Sequence, residues 1–490
     1  MSDPSEASNE AALRPQEYVV MKFGGTSVED AAAIRRLCRL VARPSSFRPV
    51  VVVSALAKVT DQLMNAGWAG AAGSLDSARE ILQVLRQRHE TVASALANGG
   101  ERRRLSREFA SEFKAVDKML AAIASEKALS PCSQDRLLGV GESLSSKLVQ
   151  SSLQSGGVDA VLVDARECII TDAAHGRATP LWEETNERLQ AVLLPLLESG
   201  RVPVMGGFIG ATRDGIPTTL GRGGSDFSAS IVGAGVQARR IEIWTDVDGI
   251  MTTDPNLCPD ARRVPRMSFD EAADLAYFGA KVLHPATLVP AMRSNIPVWV
   301  LNSRNPDCAG TEIVAHCDGD GVKAVTAKRG VAIVDVEPVR WFVPELLREV
   351  FDVFERHQHS LDLLSASRGS LALLVSSVSA LPAIADELKG MASVRWENHK
   401  AVVCLVGEQV RRRPELASQA FRAIGDIDVR MICQGASERN ISFLVDESRA
   451  EEAIQRLHRS FFLKSEPAVA QSASQSMCQA EGAWQSGFSR

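Results

Sequence analysis

Thr218-Thr219-Leu220-Gly221-Arg222-Gly223-Gly224-Ser225-Asp226 is the stretch on which the reading of this chain turns. An apolar run, Val202-Pro203-Val204-Met205, lies before it, and a small-residue run, Phe227-Ser228-Ala229-Ser230-Ile231-Val232, follows. The pattern predicts a strand, then a turn that opens a helix. Glycines let backbone N–H groups approach an anion where a Cβ would block the way. A helix N-terminus adds partial positive charge and unpaired donors. Arg222 offers a rigid fork for a carboxylate or phosphate. Ser225 adds a hydroxyl, and Asp226 a carboxylate that can cap the helix or orient a cation. A glycine-rich turn alone is as often structural as functional. This one is neither a Walker loop nor a dinucleotide fingerprint, because both spacings are absent from it.

The chain has 490 residues, room for two or three domains. With 45% hydrophobic and 23% charged residues it has the balance of a globular protein. Its 5% aromatic content and two tyrosines argue against a surface that stacks bases. A net charge of −5 gives no general attraction to nucleic acid or anionic membrane, so neither partner is expected. Nine cysteines occur singly, with no Cys-x-x-Cys pair; neither a zinc site nor a disulfide framework is expected, and a reducing cytoplasm fits. No apolar run is long enough to span a bilayer. Residues 1–17 and 465–490, polar and rich in small residues, are expected to be disordered tails.

Outward from the central stretch, strands and helices alternate. Tyr18 to Phe23 is a predicted strand running into Gly24-Gly25-Thr26-Ser27, followed by a helix to Val41 with Ile34, Leu37 and Leu40 on its apolar face. Val50 to Val53 is continuously apolar, as a parallel strand covered on both faces should be. It ends at Ser54-Ala55-Leu56-Ala57-Lys58-Val59-Thr60. Residues 74–128 predict a charged, solvated helical excursion. Strands at 158–163, 202–205, 240–245 and 298–301 continue the alternation, and Asp214-Gly215 signals a hairpin before the central turn. The fold class expected for residues 18–310 is α/β, an open, mainly parallel sheet sandwiched by helices, with ligands at the carboxyl ends of its strands. Beyond it, two smaller β-α-β-β units are read at 311–400 and 401–464, the second possibly interleaved with the first.

Four motifs, in order, carry a resemblance: Lys22-Phe23-Gly24-Gly25-Thr26-Ser27, Gly221 to Asp226, Trp244-Thr245-Asp246-Val247, and Phe278-Gly279-Ala280-Lys281-Val282-Leu283-His284-Pro285. Together they resemble the signature set of aspartate kinases, members of the amino-acid-kinase superfamily with paired ferredoxin-like ACT modules after the catalytic domain. The resemblance implies phosphoryl transfer from ATP, with Mg²⁺ carried on the nucleotide and no dedicated protein metal ligands, to the β-carboxylate of L-aspartate. Such a site gathers several anions, so catalysis is mainly positioning and charge neutralisation. The resemblance gives Lys22, Asp226 and Lys281 to catalysis. It gives Ser54, Thr60, Glu142, Phe208, Arg222, Gly223 and Ser225 to the aspartate pocket, with Arg222 on the α-carboxylate and Glu142 on the α-ammonium. Lys22, Gly24, Gly25, Thr245, Asp246, Met251 and Lys281 fall on the ATP side. Met251 stands where the family often has tyrosine, and Asn256 where an arginine often follows the proline. His284 is read as structural.

The ACT modules imply an amino-acid effector, with Leu361, Asp362, Ser367 and Arg368 at the matching positions. Lysine is the effector expected first, with threonine or none as rivals. Arg368 stands where lysine-inhibited relatives carry glutamate. The modules also imply a homodimer, possibly a tetramer, and Met431 to Ser437 resembles the family's interface strand. A related kinase acting on glutamate or its acetylated form, and a sensing protein without turnover, remain as alternatives.

Overall fold

The computed structural model describes residues 17–463 apart from 281, 282, 284, 318, 320, 340–342, 368 and 436. The expected tails therefore fall almost wholly outside the described residues, as do Lys281, His284 and Arg368.

Ten strands belong to the first part of the chain: β1 (Tyr18–Phe23), β2 (Arg48–Val53), β3 (Ala160–Val163), β4 (Val202–Gly206), β5 (Ile209–Ala211), β6 (Pro217–Thr219), β7 (Arg240–Thr245), β8 (Arg266–Ser268), β9 (Val298–Asn302) and β10 (Thr311–Val314). Eight of them form one sheet in the order β3-β4-β2-β1-β7-β9-β10-β8, parallel from β3 through β9. The remaining two, β5 and β6, make the small hairpin signalled by Asp214-Gly215. Alternate side chains of a strand leave on opposite faces. Accordingly Val20, Val50 and Val52 enter one core, beneath Leu189, Leu193 and Ile231. Val19, Met21, Val51 and Val53 enter the other, with Ile34, Leu37 and Leu148. Two buried faces explain the uninterrupted valines of β2.

The expected solvated excursion is two long helices, Leu75–Leu96 and Gly99–Glu126. It is more than solvated: Leu82, Leu85, Phe109, Phe113 and Leu120 are buried in the second core, and only the opposite faces carry the charges.

The second part contributes β11 (Gly321–Pro338), β12 (Leu363–Ala366), β13 (Leu371–Val375), β14 (Ala392–Glu408), β15 (Met431–Gln434) and β16 (Asn440–Asp446), in the order β12-β13-β11-β14-β16-β15. Two features stand beside the units expected at 311–400 and 401–464, interleaving of the second with the first being among those expectations. The strand β10, beyond the expected boundary at 310, belongs to the first sheet, against β9 and β8. The modules also share two long strands. The first half of β11 pairs with Ala401–Glu408 at the far end of β14, while Val331–Pro338 pairs with β13 and with the start of β14. Ala401–Val406 therefore does not open a unit. It is the second half of a 17-residue strand. Only this half reads as a strand, because the first half, with Arg395, Glu397, Asn398, His399 and Lys400, is mostly polar and exposed, whereas Ala401–Val406 is buried throughout.

Candidate active site

Parallel pairing brings the carboxyl ends of the central strands into line. Phe23 is opposite Val53 on one side and Trp244 on the other, and Val53 is opposite Gly206. The loops leaving β1, β2, β4 and β7 thus share one edge, and backbone bonds lock them together. Gly24 N–H donates to Trp244 O (3.0 Å), Ala57 N–H to Gly25 O (3.2 Å), and Gly207 N–H to Val53 O (2.8 Å). At Gly25 the approach is close: a Cβ there would lie 3.2 Å from Ala55 O and 3.3 Å from Ala57 Cα, so the β2 loop would have to give way.

A cavity of about 370 Å³ opens at this edge. Its walls come from the β1 end (Lys22, Gly25), the β2 loop (Ser54 to Lys58, Thr60 and Asp61), the helix Val140–Ser155 (Glu142), Phe208 and the turn Gly221 to Asp226. Lys22 Nζ lies 2.6 Å from Asp226 Oδ1, with the two side chains 9% and 15% exposed, so the ammonium is desolvated but already neutralised. Asp226 occupies the first turn of the helix Gly224–Gly235, where the helix dipole favours its charge. Arg222 is exposed at the rim and has no acceptor among the described residues.

Glu142 is 3% exposed. Its Oε1 accepts from Ala55 N–H at 3.1 Å, while Oε2 is buried with no partner among the described residues. Burial pushes its carboxyl up to about 8, against the opposing pull of the Ala55 N–H and of the nearby Lys22 ammonium. A buried orphan acceptor beside an open cavity is half of an interaction, and a ligand ammonium is the natural other half. Phe208 sits at φ +68°, held there by Ser228 Oγ, which accepts its N–H at 2.9 Å.

A sequence model of the amino acid kinase family matches residues 17–302, and one of the ACT domain matches residues 403–461. The lysine-sensitive aspartokinase 3 of Escherichia coli (strain K12) is 35% identical over 459 residues, covering 91% of this chain and 99% of that protein. The chain belongs to the aspartokinase family. Two solved structures of Escherichia coli aspartokinase III, each 35% identical, cover 91% of this chain and 100% of theirs. The complex with aspartate and ADP, described as the R-state, gives a TM-score of 0.81. The complex with lysine and aspartate, described as the T-state, gives 0.76. The family and the fold expected from the four motifs are those found.

In this aspartokinase-family chain the residues expected on the substrate side gather in one place. Lys22, Gly25, Ser54, Thr60, Glu142, Phe208, Arg222, Gly223, Ser225 and Asp226 all line the same cavity. Gly24, Thr245, Asp246 and Met251 are not part of its wall. Gly24 is tied to Trp244, next to Thr245 and Asp246 at the end of β7. Met251 lies further along, bridged to Arg263, and its neighbour Thr252 faces the regulatory part: Val325 N–H donates to Thr252 O (2.7 Å), and Thr252 Oγ1 is 2.9 Å from His458 Nε2. Among the effector positions, Asp362 already has a cation, Lys328 Nζ at 2.7 Å, and Tyr277 OH donates to its backbone oxygen at 2.9 Å. Leu361 packs against the core of the first module, and Ser367 bonds to Ser370 across the β12–β13 turn. Sequence reasoning did not single out Lys58 and Asp61, which also line the cavity, nor Asp135 behind it. Lys58 adopts φ +68° at the start of the helix Val59–Ala71, a conformation that no local pattern announces. Asp135 had a signal: a carboxylate beside buried leucines in a short helix.

Proposed function

We propose that this chain transfers the γ-phosphoryl group of ATP to the β-carboxylate of L-aspartate, giving 4-phospho-L-aspartate and ADP. A β-carboxylate oxygen attacks the γ-phosphorus, and the bond to the β–γ bridging oxygen breaks. ADP leaves with the electron pair. The observation that carries this reading is the convergence of Lys22, Asp226, Glu142 and Arg222 on one cavity at the carboxyl edge of a parallel sheet. Arg222 holds the α-carboxylate with its fork, and the unpaired Glu142 Oε2 receives the α-ammonium. Lys22, kept in place by Asp226, then faces the transferring phosphoryl group. Opposite charges about 4 Å apart gain roughly 4 kcal/mol at an effective dielectric near 20, so one or two such cations decide whether the anions can meet. ATP arrives with Mg²⁺ on its phosphates, on the side of Gly24, Thr245 and Asp246, and Lys281 is assigned there as a second cation from its motif. The nucleophile is the substrate's own carboxylate, so no phosphoenzyme forms.

Regulation follows from the second sheet. An amino acid, lysine first and threonine as rival, binds at Leu361, Asp362 and Ser367, where its ammonium competes with Lys328. Two copies pair through the sheet ends, where Leu364 of β12 (42% exposed) and Ile432 of β15 (44% exposed) leave apolar edges open. None of the eight described cysteines is in a disulfide, in keeping with a reducing cytoplasm as the proposed compartment. Trapping the acyl phosphate with hydroxylamine tests the reaction: hydroxamate that forms with ATP and L-aspartate, but not with aspartate omitted, is the expected result. Preference for glutamate over aspartate, or none formed with either, would remove it.

A further inference from the structure

The helix Pro131–Leu138 stops at Gly139, and the next helix, Val140–Ser155, carries Glu142 in its first turn. Asp135, in the first of these, has a side chain that is 0% exposed and lies outside the wall of the cavity described above. Its carboxylate gathers donors from two other segments. It accepts from the Thr219 hydroxyl and from Gly176 N–H (3.0 Å to Oδ1, 3.1 Å to Oδ2), and His175 Nδ1 lies 2.7 Å from Oδ2.

Those segments flank the Arg222 turn. Thr219 ends β6, immediately before Leu220-Gly221-Arg222. The strand is joined to the turn containing Gly176 by Ala178 N–H donating to Thr219 O at 2.9 Å. Gly176 also lies against Gly221: Gly221 sits at φ +79°, and a Cβ there would come 3.1 Å from Gly176 O. Behind the hairpin is a second cavity of about 220 Å³, lined by Asp135, Arg136, Gly139, Ile209 and Pro217 among others. The hairpin also packs, with Ile209 and Leu220 in the first core, so these hydrogen bonds fix its position together with that packing.

We infer that Asp135, assisted by His175, is a positioning residue for the amino-acid end of the substrate. It touches no substrate. Acting through Thr219 and Gly176, it sets the separation between the Arg222 guanidinium and the Glu142 carboxylate, because Asp135 and Glu142 lie on consecutive helices that meet at Gly139. The pair therefore measures an α-amino-acid zwitterion from both ends. This rests on the roles proposed for Arg222 and Glu142.

The test is steady-state kinetics on the full-length enzyme, following ADP release, for wild type, Asp135→Ala, Asp135→Asn and His175→Ala. A displacement of about 1 Å in a binding group can cost up to 10²-fold, so Asp135→Ala should raise KM for L-aspartate by about tenfold or more. KM for ATP should stay within about twofold. Asp135→Asn keeps an acceptor oxygen for Thr219 and Gly176 and should recover most of the loss. His175→Ala should fall between the two. Equal losses in both KM values, no recovery in Asp135→Asn, or a lowered melting temperature with unchanged KM would each overturn the inference. Should Asp135→Ala fail to fold, His175→Ala decides, since its side chain is 17% exposed and leaves no sealed hole; an unchanged aspartate KM there refutes the pair. Wild type unable to phosphorylate aspartate would instead remove the functional reading beneath it.

Discussion

Replacing Glu142 by glutamine should separate the charge of this carboxylate from its shape. Burial holds the carboxyl at about 8 in the empty site, so at pH 7 only about one tenth of the molecules carry the anion that an ammonium seeks, and about half do at pH 8. An affinity that depends on the ionised fraction scales with it, so KM for L-aspartate should fall about fivefold between pH 7 and pH 8. The fall ends where the substrate's own ammonium deprotonates. Glu142→Gln cannot ionise, so its KM should be flat over this window. At pH 8 it should be higher than wild type by about 10- to 100-fold, the value of a lost charge-assisted hydrogen bond. Stability should move the opposite way. A carboxyl held at about 8 costs on the order of 5 kcal/mol to ionise in the empty protein. The folded-state pKa is raised, so this cost is absent below the unfolded value near 4.5, accumulates as pH rises, and is complete above about 8. Empty wild type should therefore melt progressively lower from pH 5 to pH 8, and Glu142→Gln should lack that component. KM profiles by coupled assay and aspartate titrations by calorimetry measure the first effect, and melting curves measure the second. A variant whose KM keeps the wild-type pH dependence, or stays within twofold of wild type at pH 8, refutes the assignment.

Other outcomes follow from the same geometry. Lys22→Met should lower kcat by about 10²- to 10³-fold with folding retained, as for other donors to developing charge; turnover within tenfold of wild type would show that Lys22 does not face the reacting phosphoryl group. Arg222→Lys keeps the charge and loses the fork, so KM for L-aspartate should rise about tenfold with KM for ATP unchanged. A change confined to ATP would move Arg222 to the nucleotide side. Lys328→Met removes the cation beside Asp362 and should lower the lysine concentration for half-inhibition by about threefold or more, roughly 0.7 kcal/mol. Unaltered sensitivity to lysine and to threonine would show that the effector's ammonium does not compete there.

Much of the catalytic half is legible because its signals are local. Lys22 and the Gly24-Gly25 pair follow an apolar run, and the glycine-arginine turn opens a helix, so each motif announces its own strand–loop–helix unit. The regulatory half is less so. An apolar run such as Ala401–Val406 reads as a whole strand, yet it is half of one that passes from one module into the other. Period-2 patterning gives the face of a residue but not the partner of its strand. The strand β10 falls just past the expected boundary at 310 for the same reason: its four residues look alike at the edge of either sheet.

By itself the sequence determined which chemical groups this protein owns: the lysines, the forked cation, the carboxylates, the glycine turns and the strands that present them. Tertiary structure decided which of these meet. The register of parallel strands aligned their carboxyl ends. Burial then raised the Glu142 carboxyl and left one of its oxygens without a partner. A remote carboxylate, Asp135, gathered the supports of the Arg222 turn. Desolvation and hydrogen-bond partnership are properties of neighbours in space, and residues 84 positions apart, as Asp135 and Thr219 are, become neighbours only when the chain has folded.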